Sequence, residues 1–364
     1  MIRVLQCVND MHRAGLETML MNYYRSIDRT KIQFDFLTHR PYKSDYDDEI
    51  EQLGGKVYYA PRLYPQNYYK YFKWMEIFFE EHPEYEIVHS HIDTMSYLPL
   101  LAAKRANVPI RIAHSHNIAI DKDYKFILKQ IFRLKINEVC NYRLACGMEA
   151  GKFLFRNKKF TVIPNAIKAD KFYYDEDIRK LKRKALGIEN QFVIGHVGRF
   201  SYQKNHKFLV YVFKEILNIN SNCLLLLVGV GEKEDEIKKV INKLEINDKV
   251  LFLGNRSDVN ELYQAMDIFV LPSFFEGVPV VGVEAQFADL PCVFSDMVPK
   301  EIKFTDKSLF LPLSCDTKVW AEKILEFHNS TRKKKNYENN LYVIDNSKDI
   351  LFNYYMMAVK KNEK

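Results

Sequence analysis

Short apolar runs alternate with helix-length amphipathic stretches along nearly the whole chain, and this alternation restricts the fold more than any other feature. It argues for parallel sheets built from βαβ units. In the first half, strands are expected over 2–8, 33–37, 56–59, 86–89, 110–113, 143–146 and 160–163, and helices over 15–27, 67–81, 95–106, 124–139 and 148–155. In the second half, strands are expected over 191–197, 223–228, 250–253, 268–271, 291–294 and 308–311. The helices between them are expected over 205–218, 232–244, 258–265, 279–288 and 316–328.

A chain of 364 residues suits two domains, since domains mostly run about 100–200 residues. The break falls where Ile163-Pro164-Asn165 closes one unit and a charged stretch, 175–184, precedes a fresh strand. The expected organisation is a first domain over 1–165 and a second over 166–345, with a linker at about 165–190. A final helix within 346–364 is expected to pack back onto the first domain. The fold class is α/β: two doubly wound, Rossmann-like domains in tandem, facing a central cleft.

Hydrophobic residues make up 47% of the chain, enough for two cores in a soluble protein. The six cysteines (Cys7, Cys140, Cys146, Cys223, Cys292 and Cys315) form no CxxC pair and read as reduced, buried thiols of a cytosolic protein. No signal peptide and no membrane-spanning run is expected. The net charge of +7 permits an anionic ligand or an anionic membrane surface and demands neither. A nucleic-acid partner is not expected.

Glu276 and Glu284 carry most of the functional information. Glu276 falls on the loop after the strand at 268–271, and Glu284 lies inside the helix behind it, with Pro279 suited to that helix's first turn. In an open parallel sheet ligands bind at this carboxyl edge. Two acidic acceptors there suit a ligand rich in hydroxyls, such as a sugar nucleotide.

Other strand ends add cations and glycines. Gly195 to Asn205 brings Arg199 and Lys204 to the end of the first strand of the second domain, with Gly198 beside them and a helix start just behind. Such a set makes a diphosphate site; a turn with two solvated cations reads the same residues. Gly15 follows the first strand and could turn backbone N–H groups toward a phosphate, or be a plain turn glycine. Val228-Gly229-Val230-Gly231-Glu232 is another strand-end turn, a candidate to pass beneath a nucleotide base.

The histidines cluster as His89-Ser90-His91 and His114-Ser115-His116-Asn117, each at a strand end. No carboxylate or thiol completes a metal set, so no metal is expected, and one imidazole of the second pair is expected to line the cleft. Asp121-Lys122-Asp123 spells DxD but reads as a helix-start cap region. The run Arg332-Lys333-Lys334-Lys335 reads as a solvated loop. Two stretches hint at a surface partner: the aromatic-rich 58–79, and 122–135 with five basic residues around Phe126, Ile127, Leu128, Ile131 and Phe132. A basic amphipathic helix can lie on an anionic membrane, although core packing with a solvated basic face explains both.

Taken together, these segments resemble the retaining glycosyltransferases of the GT-B fold, family 4 (group 1), in its bacterial capsule and exopolysaccharide branch. Gly15-Leu16-Glu17, Ile163-Pro164-Asn165-Ala166-Ile167, Gly198-Arg199-Phe200 with Lys204, and the pair Glu276 and Glu284 followed by Leu290-Pro291 carry the resemblance, in that order. It implies that Arg199 and Lys204, with Gly198, hold the donor diphosphate, and that Gly15 approaches it from the first domain. It further implies that Glu284 accepts from the ribose, that Glu276 with Gly277 faces the donor sugar, and that His116 is the cleft histidine, His114 being second choice. The implied reaction keeps the anomeric configuration, needs no metal or cofactor, and takes a sugar from a nucleotide-sugar, UDP preferred. The implied acceptor is a saccharide, often lipid-linked, at the inner membrane face. Departures from the family pattern are Ala14, Ala166 and Asp289, each standing where a glycine is usual. The alternative is a non-catalytic saccharide-binding subunit on the same fold.

Overall fold

The computed structural model describes residues 1–120, 123–337 and 339–363. The chain forms two compact units, Met1–Ile167 with Asn340–Lys364, and Lys168–Asn339.

The first unit is a parallel sheet of β1 (Ile2–Val8), β2 (Ile32–Thr38), β3 (Val57–Tyr59), β4 (Ile87–Ser90), β5 (Ile110–Ser115), β6 (Tyr142–Ala145) and β7 (Thr161–Val162), in the order β3-β2-β1-β4-β5-β6-β7. Its helices are α1 (Gly15–Ser26), α2 (Asp47–Gln52), α3 (Tyr68–Glu81), α4 (Tyr97–Arg105), α5 (Phe126–Val139) and α6 (Met148–Phe155). The second unit holds β8 (Phe192–Val197), β9 (Cys223–Val228), β10 (Val250–Phe252), β11 (Ile268–Leu271), β12 (Cys292–Ser295) and β13 (Ser308–Leu311), ordered β10-β9-β8-β11-β12-β13, again parallel. Its helices are α7 (Glu176–Leu186), α8 (His206–Ile219), α9 (Glu234–Lys243), α10 (Val259–Ala265), α11 (Val280–Phe287) and α12 (Thr317–Leu325). The chain then returns to the first unit as α13 (Ile344–Asn362).

Alternation along each strand serves two cores at once, because successive side chains point to opposite faces. In β1, Val4 packs with Phe34, Phe36, Tyr23 of α1 and Tyr355 of α13. Its neighbour Leu5 packs on the other face with Leu37, Val88, Tyr71 of α3 and Ile136 of α5. In the second unit Ile194, Leu225 and Val270 pack against Phe213 of α8 and Trp320 of α12. Strand order reverses between β1 and β4 and between β8 and β11, and at such a reversal the loops diverge and leave a crevice at the carboxyl ends.

The structure departs from the sequence reading in several places. Residues 176–186, expected as part of a charged linker, form α7, capped by the Asp175 carboxylate at 2.9 Å from Asp177 N–H and closed by Gly187 in the left-handed region (φ +67°). It docks through charge: Arg179 donates to the Gln264 and Met266 carbonyls (2.9 and 2.8 Å), and Arg183 reaches Asp267 at 3.0 Å. The basic run is not simply solvated. Arg332 donates to the Ala288, Gln264 and Met266 carbonyls, while Lys307, Lys335 and the Lys333 N–H converge on Asp289. Asp289 itself adopts φ +51°, the glycine-favouring conformation. Pro279 stands one position before α11 instead of in its first turn. Cys315 is only partly buried. Of the DxD spelling, Asp121 and Lys122 lie outside the described residues. Among the described residues no helix is long and apolar enough to cross a membrane.

Candidate active site

In the second unit the loops after β8 and β11 flank the switch point. The first, from Gly198 to Asn205, is held from behind by the turn after β9: Gly198 N–H donates to the Val228 carbonyl (2.9 Å) and Phe200 N–H to that of Val230 (3.2 Å). Gly229, at φ +132°, passes so close that a Cβ there would lie 2.3 Å from the Gly198 oxygen. The 228–232 turn thus packs against the 198–200 backbone.

Lys204 and Glu276 meet. The ammonium lies 2.7 Å from Glu276 Oε1, with side chains only 15% and 6% exposed. Ser273 Oγ donates to the same oxygen (2.7 Å) and Gln203 Nε2 to the other (3.2 Å). Three donors therefore fix one carboxylate, while Lys204 keeps two further N–H groups for an oxyanion. A methyl at Gly198 would lie 3.3 Å from the Lys204 stem, which ties Gly198 into this set. Arg199 pairs instead with Glu232 (3.0 Å), its side chain 73% exposed. An exposed pair of this kind contributes about 0–1 kcal/mol, so the guanidinium can re-aim toward an anion at little cost.

Glu284 sits apart from these, buried in α11, where Tyr263 Oη donates to its Oε2 at 2.9 Å. Burial pushes its carboxyl up to about 7, with the tyrosine hydroxyl pulling the other way. Gly277 is buried in the turn between Glu276 and α11.

Gly15 and His116 belong to the first unit. Gly15 opens α1, and Ala14 before it offers no side-chain cap. The helix start, exposed at Gly15, leaves backbone N–H groups for an anion. Glu17 in that turn does not oppose one near neutrality, because burial lifts its carboxyl to about 8.

The four clustered histidines share one face of the sheet. Gln6 pairs in register with His89, and His89 with Ile112, two residues before His114. Burial drives His89, His91 and His114 far below the usual imidazole range, with neighbouring imidazoles pushing the same way, and burial alone takes His116 down to about 3. His116 is anchored by Asp93, whose carboxylate accepts from His116 N–H (2.6 Å), Asn117 N–H (3.2 Å) and Asn117 Nδ2 (2.8 Å). No metal is expected from the sequence, because no carboxylate or thiol completes a set with the histidines. The fold nevertheless gathers three histidines, since His89, His91 and His114 can each bring a nitrogen within 4.8 Å of the others. Both nitrogens of His89 and of His91 are already hydrogen-bonded, however, so a cation would have to break those bonds.

Sequence reasoning missed Gln6, Asp93, Gln203, Tyr263, Ser273 and Tyr355. Asp93, two residues after His91, and Ser273, three before Glu276, stood beside recognised motifs. Tyr263 and Tyr355 reach their partners across 21 and 266 residues, and local spacing carries no sign of that.

The family of glycosyl transferases, group 1, matches residues 177–343. EpsF of Bacillus subtilis (strain 168), described as a glycosyltransferase, is 35% identical over 92% of this chain and 90% of its own. The UDP-Gal:alpha-D-GlcNAc-diphosphoundecaprenol alpha-1,3-galactosyltransferase of Escherichia coli is 33% identical over 59% of this chain and 58% of its own. The crystal structure of Anabaena Alr3699/HepE in complex with UDP-glucose superposes with a TM-score of 0.77 at 18% identity, covering 100% of this chain and 98% of that one.

Proposed function

Because this chain belongs to the group 1 glycosyl transferases, with the GT-B fold of two Rossmann-like sheets, we propose that it is a retaining, metal-independent enzyme. It moves a sugar from a UDP-sugar to a lipid-linked saccharide in capsule or exopolysaccharide synthesis. The observation that carries this reading is the Lys204–Glu276 pair at a strand-order reversal, a cation and an acid fixed side by side by Ser273 and Gln203. The UDP-glucose complex of the Anabaena protein supports the donor class. The diphosphoundecaprenol substrate in the name of the Escherichia coli relative supports the acceptor class.

In this reading Lys204 and Arg199 bind the diphosphate and stabilise the charge that grows on the leaving phosphate, which is worth most where donors are already in place. Gly198, where a Cβ would crowd the Lys204 stem, keeps room for the phosphate, and the α1 terminus at Gly15 adds backbone N–H groups. Glu276 and Gly277 face the donor sugar, Glu284 the ribose, and His116 the sugar near the reacting carbon. The acceptor oxygen bonds to the anomeric carbon on the face that the phosphate leaves, and the departing phosphate oxygen takes the acceptor's proton. No side chain is then needed as general base, and the two cations stand where a metal would otherwise neutralise charge. The acceptor's lipid points to an anionic membrane surface. For that contact α5 offers exposed Ile127, Ile131 and Leu134, preceded by exposed Tyr124, with Lys135 alongside.

Differential scanning fluorimetry with UDP, GDP, CMP and their sugar conjugates, with and without EDTA, tests the donor site. The expected result is a rise in melting temperature with UDP or UDP-glucose that EDTA leaves unchanged. Lys204→Ala and Arg199→Ala are expected to keep the fold, lose that rise, and lower turnover by about 100-fold or more. Wild-type turnover in either folded variant would sink the phosphate-site assignment.

A further inference from the structure

His116, His91, Gln6, Tyr355, His89 and His114 form one unbranched hydrogen-bonded chain on the α1/α13 face of the first sheet. The links are His116 Nε2 to His91 Nδ1 (3.1 Å), His91 Nε2 to Gln6 Oε1 (2.8 Å), Gln6 Nε2 to Tyr355 Oη (3.1 Å), Tyr355 Oη to His89 Nδ1 (2.6 Å) and His89 Nε2 to His114 Nδ1 (3.2 Å). Neighbouring rings lie with centroids 4.0 to 5.3 Å apart, and no carboxylate takes part in the chain. Charged imidazolium rings cannot share such a buried space, so each ring is neutral, with one N–H and one lone pair.

In a chain of neutral rings one link decides the rest. Either all four imidazoles carry their proton on Nε2, or all four carry it on Nδ1 with the Gln6 amide reversed. The two contacts of Tyr355 choose between them. An O–H donor sits closer to its acceptor than an N–H donor does, at about 2.7 against 2.9–3.0 Å. At 2.6 Å, Tyr355 donates its proton to His89 Nδ1; at 3.1 Å, it accepts from Gln6 Nε2. Gln6 Oε1 then takes the proton of His91 Nε2, and His91 Nδ1 takes that of His116 Nε2. At the other end His114 is left with a buried Nε2–H that has no partner among the described residues.

We propose that Tyr355 and Gln6 are positioning residues that hold all four histidines as Nε2–H tautomers, so that His116 presents a bare Nδ1 lone pair to the substrate. Such an atom accepts from a sugar hydroxyl and repels a phosphate oxygen, which separates the two kinds of oxygen in a nucleotide-sugar. The α13 helix thereby acts on the chemistry through a tautomer without touching the substrate. The inference rests on the reading above that His116 faces the sugar.

Histidine 15N chemical shifts, read through two-bond couplings to the ring protons in uniformly labelled full-length protein, test it directly. The expected wild-type pattern is Nε2 protonated in His89, His91, His114 and His116. Tyr355→Phe, which keeps the ring in the core, is expected to admit Nδ1–H forms at His89 and His114 and, through Gln6, at His91 and His116. Its kcat is expected to fall about tenfold while the fluorimetric affinity for UDP stays unchanged; Gln6→Leu should behave alike. Nδ1–H tautomers in the wild type overturn the proposal, as do unchanged tautomers and kcat in Tyr355→Phe. Stoichiometric Zn2+ that shifts these signals and raises the melting temperature overturns it too, in favour of a metal site. Unchanged turnover in His116→Ala defeats the parent reading of His116 and with it the role in recognition. That failure is distinguishable, because the tautomer pattern of the wild type would still stand.

Discussion

At the scale of single residues, Glu284 joins stability to binding. Its carboxyl titrates near 7 in the folded chain because it is buried, against about 4.3 when exposed. A raised carboxyl contributes stability that is fully present below the unfolded value and is lost as pH rises through the folded one. Between about pH 4.5 and 7 the protein therefore loses on the order of 3 kcal/mol from this group, and Glu284→Gln should remove that part of the slope in chemical denaturation. Ribose hydroxyls prefer the ionised acceptor, so UDP-glucose, whose diphosphate does not titrate in this range, should bind more tightly as pH rises from 6 to 7.5. In Glu284→Gln the affinity should be flat, and a wild-type affinity that falls with pH contradicts the ribose role. Charged residues in ordered motifs, such as Lys204 and Glu276, were legible in the sequence because their chemistry narrows what they can do. Gln6 and Tyr355 were not, since a neutral amide and a phenol have many uses and only the fold brings them together.

At the scale of elements, every strand lies within two residues of its expected position, because strands buried on both faces leave uninterrupted apolar runs. What escaped were the six-residue α2, too short to show a helical period, and α7, whose single buried residue, Arg183, leaves no apolar stripe to read. Its hold on the second unit is ionic and cap-based, and composition alone presents it as a linker. The opposite case is α5, where Phe132, Ile136 and Val139 supply the buried face while Ile127, Ile131 and Leu134 stay exposed. The 58–79 stretch buries Tyr71, Phe78 and Phe79 and exposes Tyr59, Tyr69 and Ile77, so α5, with three exposed aliphatic side chains, offers the more apolar surface. Cosedimentation with vesicles of anionic lipid is expected for the wild type and should drop at least tenfold in the double variant Ile127→Glu, Leu134→Glu, with turnover on a water-soluble acceptor retained. Equal cosedimentation of the two proteins rules out α5 as the contact.

At the scale of the whole molecule, six buried histidines (His39, His89, His91, His114, His196 and His206) and the half-buried His116 all titrate below the usual range, chiefly because of desolvation. A depressed imidazole takes up its proton first in the unfolded chain, so stability is lost as pH falls below about 6.5. The loss runs on through the folded values, about 4 for His39 and His196. Glu17 and Glu284 act in the opposite direction between about pH 4.5 and 8, but are outnumbered. The melting temperature is expected to peak near neutrality and fall steeply between pH 6.5 and 4; a melting temperature at pH 5 equal to that at pH 7 contradicts the neutral buried rings. The chain leaves the first unit at Ile167 and re-enters beside the same residue, with Ile167 N–H donating to the Tyr342 carbonyl and Ile344 N–H to that of Ile167. During synthesis on the ribosome, then, the second unit is complete while the first still lacks α13, and Phe34 and the histidine row wait uncovered for Tyr355. A nascent chain stalled before α13 would be half finished at its beginning, a target for chaperones and proteases rather than a weakened enzyme.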